Sequence, residues 1–302
     1  MNRRQVLACI GGSAATAFHG SLLAQTIPLG SKEIMSISDG NLVLPGAMFF
    51  EGLPEDGLKE ILAEHGLNAD QLTPPCNLTM LRQDDQVILF DAGSGAGFMP
   101  SAGAMLDSLD AAGVAPEDVT HLVFTHAHPD HLWGVLDDFD DPVFPEAQMM
   151  IGQGEWDYWT DPDTVNTIGE TRASFAVGAA RRLDAISDQI TLIKGGQEVL
   201  PGVMAHDTPG HTPGHMSFEI RDGAQAVLVG GDAIGNAHLA FDKPHWPSGS
   251  DQDTELGAKT RARLLDQLAS DGITLMGFHL PQGGLGRVER SGDAYTFIPE
   301  GT

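Results

Sequence analysis

Thr125-His126-Ala127-His128-Pro129-Asp130-His131 gathers three imidazoles and a carboxylate into one short stretch. It follows Asp118-Val119-Thr120-His121-Leu122-Val123-Phe124, whose β-branched and apolar run reads as a buried strand. A strand of that kind must lie in a covered sheet, and it places the histidines on the loop at its carboxyl end, where chemistry is usually carried. Such a loop can turn alternate side chains toward one point. Neutral imidazole together with carboxylate then suits zinc or another borderline first-row ion. A single histidine here would be an ordinary polar loop residue, but a cluster of this density is a ligand pattern.

The rest of the chain supplies a sheet for that strand. Residues 34–38 and 41–44 read as short strands around a turn at Asp39-Gly40, and residues 54–69 contain a short helix with Leu58, Ile61 and Leu62 at helical spacing. Residues 77–82 and 86–90 read as a hairpin about Asp84-Asp85 that ends in Asp91. A helix over 101–112 is stopped by Gly113. Further strands are predicted at 147–151, 190–193, 203–205, 216–220, 226–229 and 273–278, with long helices over 171–186 and 254–269. No linker rich in Pro, Gly or Ser divides residues 25–302, so they read as a single domain. Strands and helices interleave in two halves, which predicts an α/β (α+β) fold: two sheets sandwiched between helices in a four-layer αββα arrangement.

Three later segments repeat the logic of the opening loop. Asp207-Thr208-Pro209-Gly210-His211-Thr212-Pro213-Gly214-His215 sets a histidine in a tight turn after a strand. Val229-Gly230-Gly231-Asp232 ends a strand in a carboxylate, and Met276-Gly277-Phe278-His279 ends one in an imidazole.

With these residues in order, the chain resembles the metallo-β-lactamase-fold metallo-hydrolase superfamily over residues 36–299. The resemblance implies that His126, His128 and His211 hold one metal, that Asp130, His131 and His279 hold a second, and that Asp232 bridges the two. It implies a binuclear hydrolase in which a metal-bridging hydroxide attacks the substrate, with Asp130 and Asp232 as the catalytic carboxylates. Zinc is favoured by ligand type, while manganese, cobalt or iron fit the same groups. Asp91 and Thr125 are candidates to orient the imidazoles from behind, and His215 to support the turn. His65, His121 and His206 are not expected to bind metal. Phe98, Trp156, Trp159 and Trp246 are candidates to line an apolar leaving-group pocket, and His238 lies in the segment 236–253, read as a wall or lid over the site.

Departures narrow the resemblance. True β-lactamases of this fold lack the bridging aspartate, so Asp232 argues against that activity. N-acyl homoserine lactonases typically carry tyrosine three residues after it, where this chain has Gly235. The methyl parathion hydrolase group is the nearest likeness. It is carried by the THxHPDH and GHTPGH motifs, by Phe241-Asp242-Lys243-Pro244, and by the run from His279 through Gly284 and Gly286 to Tyr295, Phe297 and Pro299. Esters, lactones and phosphotriesters are the expected substrates. An iron-dependent sulfur-transforming dioxygenase, a β-lactamase or N-acyl homoserine lactonase of the same fold, and a non-catalytic binding module remain as alternatives.

Composition bounds the partners. A net charge of −26, from 16 Lys and Arg against 42 Asp and Glu, repels phosphate backbones, so a small molecule is expected and nucleic acid is not. A homodimer is one assembly open to such a chain. Arg3-Arg4 ahead of the weakly apolar run 6–23 resembles a bacterial twin-arginine export signal over residues 1–24, which implies a periplasmic location and no stable membrane insertion of the mature chain. Removal of that segment would take Cys9 with it and leave Cys76 without a disulfide partner.

Overall fold

A computed structural model describes residues 25–300, and the expected export segment lies outside them. Two seven-stranded sheets face each other. The first runs in the order Thr26–Leu29, Lys32–Asn41, Pro75–Gln83, Gln86–Phe90, His121–Val123, Gln148–Gly152 and Ile190–Ile193. Its first four strands pair antiparallel, and the last three add in parallel. Parallel neighbours need a crossover, and helices Met105–Ala111 and Ala173–Ala185 lie in two of them. The second sheet runs Glu198–Leu200, Val203–Asp207, Met216–Asp222, Gln225–Gly231, Thr274–Gly277, Leu285–Ser291 and Ala294–Pro299.

Adjacent residues of the central strands point to opposite faces, and both faces are covered, which is why these strands are apolar throughout. Phe90 and Val123 point between the sheets and meet Phe218, Val229 and Met276. Their neighbours Leu89 and Leu122 point outward and pack with Leu109, Ala179 and Leu183 of the helices. In the second sheet Leu228 and Leu275 point outward against Leu264, Leu265 and Leu268 of helix Thr254–Asp271. These three apolar layers are the interior of the expected αββα sandwich. The last helix is delimited by local chemistry: the Asp253 carboxylate accepts from Leu256 N, and Gly272 closes the helix in the left-handed region, its N–H donating to Leu268 O.

One expectation fails. Asp39-Gly40 is not a turn, because a single strand, Lys32–Asn41, runs through it. The Asp39 carboxylate is fully buried and accepts from Ser94 N, Ser94 Oγ and Met105 N, tying the strand to the loop after Phe90 and to the start of a helix. At Gly40 (φ +92°) a Cβ would stand 2.3 Å from Ser101 O, so this glycine allows a close backbone approach. The hairpin Leu285–Ser291 with Ala294–Pro299 was not read from the pattern, and it completes the second sheet.

Candidate metal centre

Loops at the carboxyl ends of strands in both sheets meet along one edge. The strand His121–Val123 delivers residues 125–131, Val203–Asp207 delivers the turn 208–215, Gln225–Gly231 delivers Asp232, and Thr274–Gly277 delivers His279. All seven expected ligand side chains come together there and are buried. His126 Nε2, His128 Nδ1 and His211 Nε2 converge, with separations of 3.1 Å between the first two and 2.8 Å between the last two. His131 Nε2 lies 3.6 Å from Asp130 Oδ2, and His279 Nε2 lies 3.3 Å from the same oxygen. Asp232 sits between the groups: Oδ1 is 3.2 Å from His131 Nε2, while Oδ2 is 3.3 Å from His211 Nε2 and 3.2 Å from His279 Nε2.

The outward ring nitrogens decide which way the lone pairs face. His131 Nδ1 donates to Asp91 Oδ2 at 2.8 Å, His279 Nδ1 to the Pro75 carbonyl at 2.7 Å, and His211 Nδ1 faces Asp251 Oδ1 at 3.3 Å. Thr125 Oγ1 donates to Asp91 Oδ2 and is thereby free to accept from His126 Nδ1 at 3.1 Å. His128 is turned the other way, with Nδ1 inward and Nε2 3.4 Å from the Gln252 amide. Each imidazole thus has a polar partner behind it and aims its other nitrogen at the cluster, the arrangement that metal-binding histidines adopt. Asp130 Oδ2, His131 Nε2 and Asp232 Oδ1 are buried without a hydrogen bond among the described residues. Facing nitrogen lone pairs repel and buried carboxylates need positive charge, so this donor set fits divalent cations.

The acid–base state points the same way. Burial, reinforced by the neighbouring imidazoles, holds His126 and His128 well below the usual histidine range, so both are neutral donors. Burial opposes ionisation of Asp232, yet His279, His131 and His211 outweigh it and keep the carboxyl well below its ordinary value. Burial likewise disfavours charge on His131, but Asp232, Asp130 and Asp91 lift it to about 10. The two inner carboxylates therefore demand compensating positive charge at this point.

Backbone conformation serves the site. Asp91 ends its strand at φ +67°, a left-handed conformation uncommon outside glycine, and so reaches Thr125 N at 2.7 Å as well as His131. His215 Nε2 accepts from Asp232 N at 3.0 Å. Its Nδ1 therefore carries the proton and donates to Thr208 Oγ1 at 2.8 Å. Burial, with His211 beside it, pushes His215 down to about 3, in keeping with a neutral support. A Cβ on Gly231 (φ +52°) would stand 2.6 Å from His215 Nε2, so only glycine lets Asp232 close on that ring.

Two buried carboxylates were missed from sequence. Glu155 accepts from Ala127 N at 2.9 Å and Trp159 Nε1 at 2.5 Å through one oxygen, and from Thr212 Oγ1 at 2.7 Å and Gly214 N at 3.1 Å through the other. It staples the loop of His126 and His128 to that of His211. Asp251 backs His211 and is paired with Arg261 Nη1 at 3.3 Å. Nothing local marks either residue, because Glu155 lies in the polar stretch opening a helix and Asp251 in an acidic loop. Cys76, a free and buried thiol, has its sulfur in one group with Asp130 and His279, and burial raises it to about 12, which keeps it a thiol.

A cleft opens onto the cluster, lined by Leu42, Leu44, Met48, Phe49, Phe98 and Phe175 among others. Of the expected pocket residues only Phe98 lines it. Trp159 is turned into the core by its bond to Glu155 and meets the His128 ring edge-on at 5.7 Å, behind the ligand. Trp156 packs against the outer helical layer, and Trp246 packs in a separate cluster with Phe49 and Ile61. His238 faces a neighbouring cleft beside His65. The aromatic walls come instead from the segment after the first long strand and from helix Ala173–Ala185, whose distance in sequence from the histidines hides the connection. Segment 236–253 does form a wall, through Ser250. It is pinned by Arg261 to the Pro244 and Trp246 carbonyls and by Arg172 to those of Gly249 and Ser250. His65 pairs with Asp242 at 2.7 Å, and with Glu64 these form an exposed acid–imidazole group apart from the centre.

The sequence profile of the Metallo-beta-lactamase superfamily matches residues 73–271. The uncharacterized protein YobT of Bacillus subtilis (strain 168) is 31% identical over 160 residues, covering 53% of this chain and 62% of that protein. N-acyl homoserine lactonase AttM of Agrobacterium fabrum is 28% identical over 148 residues, covering 47% and 49%. The chain thus matches about three fifths and half of those relatives' lengths. Among solved structures it is similar to AidC, a dizinc quorum-quenching lactonase in complex with a product, at TM-score 0.87 and 26% identity over 92% of this chain and 98% of that one.

Proposed function

The chain belongs to the metallo-beta-lactamase superfamily, and from that premise we propose that it is a binuclear metal-dependent hydrolase that opens lactone or ester bonds. The observation that carries the reading is the position of Asp232, whose carboxylate reaches His211 of one donor group and both His131 and His279 of the other. His126, His128 and His211 would hold one ion, and Asp130, His131 and His279 the other. When bound, two such ions polarise a carbonyl oxygen and acidify coordinated water.

The protein's own groups do the rest. Asp130 Oδ2, free of hydrogen bonds, is placed to take a proton from the attacking water and return it to the leaving alkoxide. Asp91, Thr125, Pro75 O and Asp251 hold the imidazoles in one tautomer each. The apolar cleft seats the substrate body and excludes bulk water. Similarity to AidC and AttM supports a lactone and supports zinc. Gly235 lines the cleft where the resemblance to homoserine lactonases implies a tyrosine, leaving space for a bulkier substrate.

Beyond the ligand motifs, the likeness to methyl parathion hydrolases rests on runs that fold as scaffold: Phe241, Tyr295 and Phe297 lie in the core beneath helix Thr254–Asp271. Phosphotriester cleavage therefore enters as one arm of the test. Metal content is to be measured alongside turnover of N-acyl homoserine lactones, δ-lactones, aryl esters and a phosphotriester in one preparation. Two zincs per chain with lactone or ester turnover is expected. One iron per chain with O₂ uptake would replace the reading with the dioxygenase. We further propose export through residues 1–24; unchanged periplasmic accumulation after Arg3→Lys with Arg4→Lys would exclude the twin-arginine route.

A further inference from the structure

One cation lines the cleft without an anionic partner. Arg172 donates through Nη2 to Gly249 O at 2.8 Å and Ser250 O at 3.1 Å, both uncharged acceptors, and among the described residues its remaining donors make no hydrogen bond and it forms no ion pair. Arg182, Arg263 and Arg287 also form no ion pair among the described residues, but of these arginines Arg172 alone lines the cleft. Arg82, Arg181, Arg221, Arg261 and Arg290 each have a carboxylate partner. Asp251 is near enough for its charge to reach Arg172, but it is engaged by Arg261 and His211.

Bracing Gly249 and Ser250 accounts for two hydrogen bonds but does not call for an unpaired charge at this end of a helix. Arg172 occupies the N-cap of helix Ala173–Ala185, the end where the helix dipole disfavours a cation. Burial lowers its basicity, as expected of a charge short of compensation. It lies beside the metal cluster, since its charge is felt at His128 and Phe175 on the same helix meets the His128 ring at 5.9 Å. Two backbone carbonyls hold the guanidinium in a fixed orientation while leaving its charge unneutralised, with an apolar cleft in front of it.

We propose that Arg172 is a specificity-determining residue that receives an anionic group of the substrate, so that the preferred substrate is an ester or lactone with an apolar body and a carboxylate set apart from the scissile bond. This rests on the hydrolase reading. A guanidinium in a partly dehydrated wall discriminates a carboxylate from a neutral group of equal size, because only the former cancels the charge.

The test uses the metal-loaded enzyme and 4-nitrophenyl monoesters of dicarboxylic acids of increasing length, each matched to the equally long 4-nitrophenyl alkanoate. Wild type is expected to prefer the carboxylate ester at one chain length. Arg172→Met should lower kcat/KM for that ester by about 10- to 100-fold and leave the alkanoate within about threefold, with Arg172→Lys in between. Because Arg172 also braces Gly249 and Ser250, the matched pair is what separates the roles: structural damage lowers both substrates equally, and equal loss overturns the proposal. So does a wild type that never prefers the carboxylate ester. If wild type turns over neither series, lactone turnover decides the hydrolase reading separately, and calorimetric binding of the matching dicarboxylic monoanilides decides this one. Binding that is lost in Arg172→Met upholds the anion contact, and binding unchanged by the substitution overturns it.

Discussion

Replacing Glu155 isolates how the fold holds its ligands, since Glu155 touches none of them. Its two oxygens accept four hydrogen bonds, two from backbone amides, one from a hydroxyl and one from an indole, with the carboxylate fully buried. Glu155→Ala leaves all four donors unpaired. At about 1 kcal/mol each once water enters the hole, the loss is about 4 kcal/mol, a large part of the roughly 5–15 kcal/mol that holds a folded domain together. Glu155→Gln is more informative. Its carbonyl can keep Ala127 N and Trp159 Nε1, and its amide can face Thr212, whose hydroxyl rotates to accept, so only Gly214 N is left without an acceptor. The cost should fall to about 1–2 kcal/mol. The strain falls on the turn that carries His211, so zinc affinity should drop by about tenfold. Urea unfolding measures the first quantity and competition with a chromophoric chelator the second. A Gln variant with wild-type stability and wild-type zinc affinity would refute the reasoning, because the staple would then hold nothing.

Four further outcomes are expected. His128→Ala should lose hydrolysis together with one or both metals, and Asp232→Ala should reduce the content below two; elemental analysis showing two ions retained by the Asp232 variant would contradict a bridging position. Gly40→Ala forces a Cβ to within 2.3 Å of Ser101 O at φ +92° and should destabilise by about 2–4 kcal/mol, whereas a freely exposed turn would show almost none of that in thermal or urea unfolding. His238 is lowered to about 4, first by burial and then by His65, from an ordinary 6.5. The unfolded chain therefore binds the extra proton between those values, and stability falls as pH drops through that window. Allowing for partial exposure, about 1–2 kcal/mol should separate pH 7 from pH 5 on this account, and His238→Gln should remove that share of the slope in paired urea titrations.

The site was more legible than its surroundings. Histidine and aspartate at strand ends announce themselves because few other roles put those residue types at such density, and the order of the four segments pointed to a family. The supporting groups did not show. Glu155 and Asp251 are ordinary charged residues in ordinary sequence contexts, and only their burial against particular loops gives them a role. Aromatic residues misled for the same reason: Trp156, Trp159 and Trp246 lie near the motifs in sequence or composition, yet helix phase turns Trp159 into the core and Trp246 packs in a separate cluster. Asp39-Gly40 misled because the local signal for a turn is identical to the signal for a buried acceptor beside a tight backbone approach.

By itself the sequence determined the layers and the candidate ligands, since strand and helix periodicity, strand ends and metal-binding residue types are local properties written in short windows. The tertiary structure alone decided which strands became neighbours, how one carboxylate came to touch both donor groups, and what lines the cleft. Those depend on chain segments more than a hundred residues apart meeting at one sheet edge, and no short window of residues carries that information.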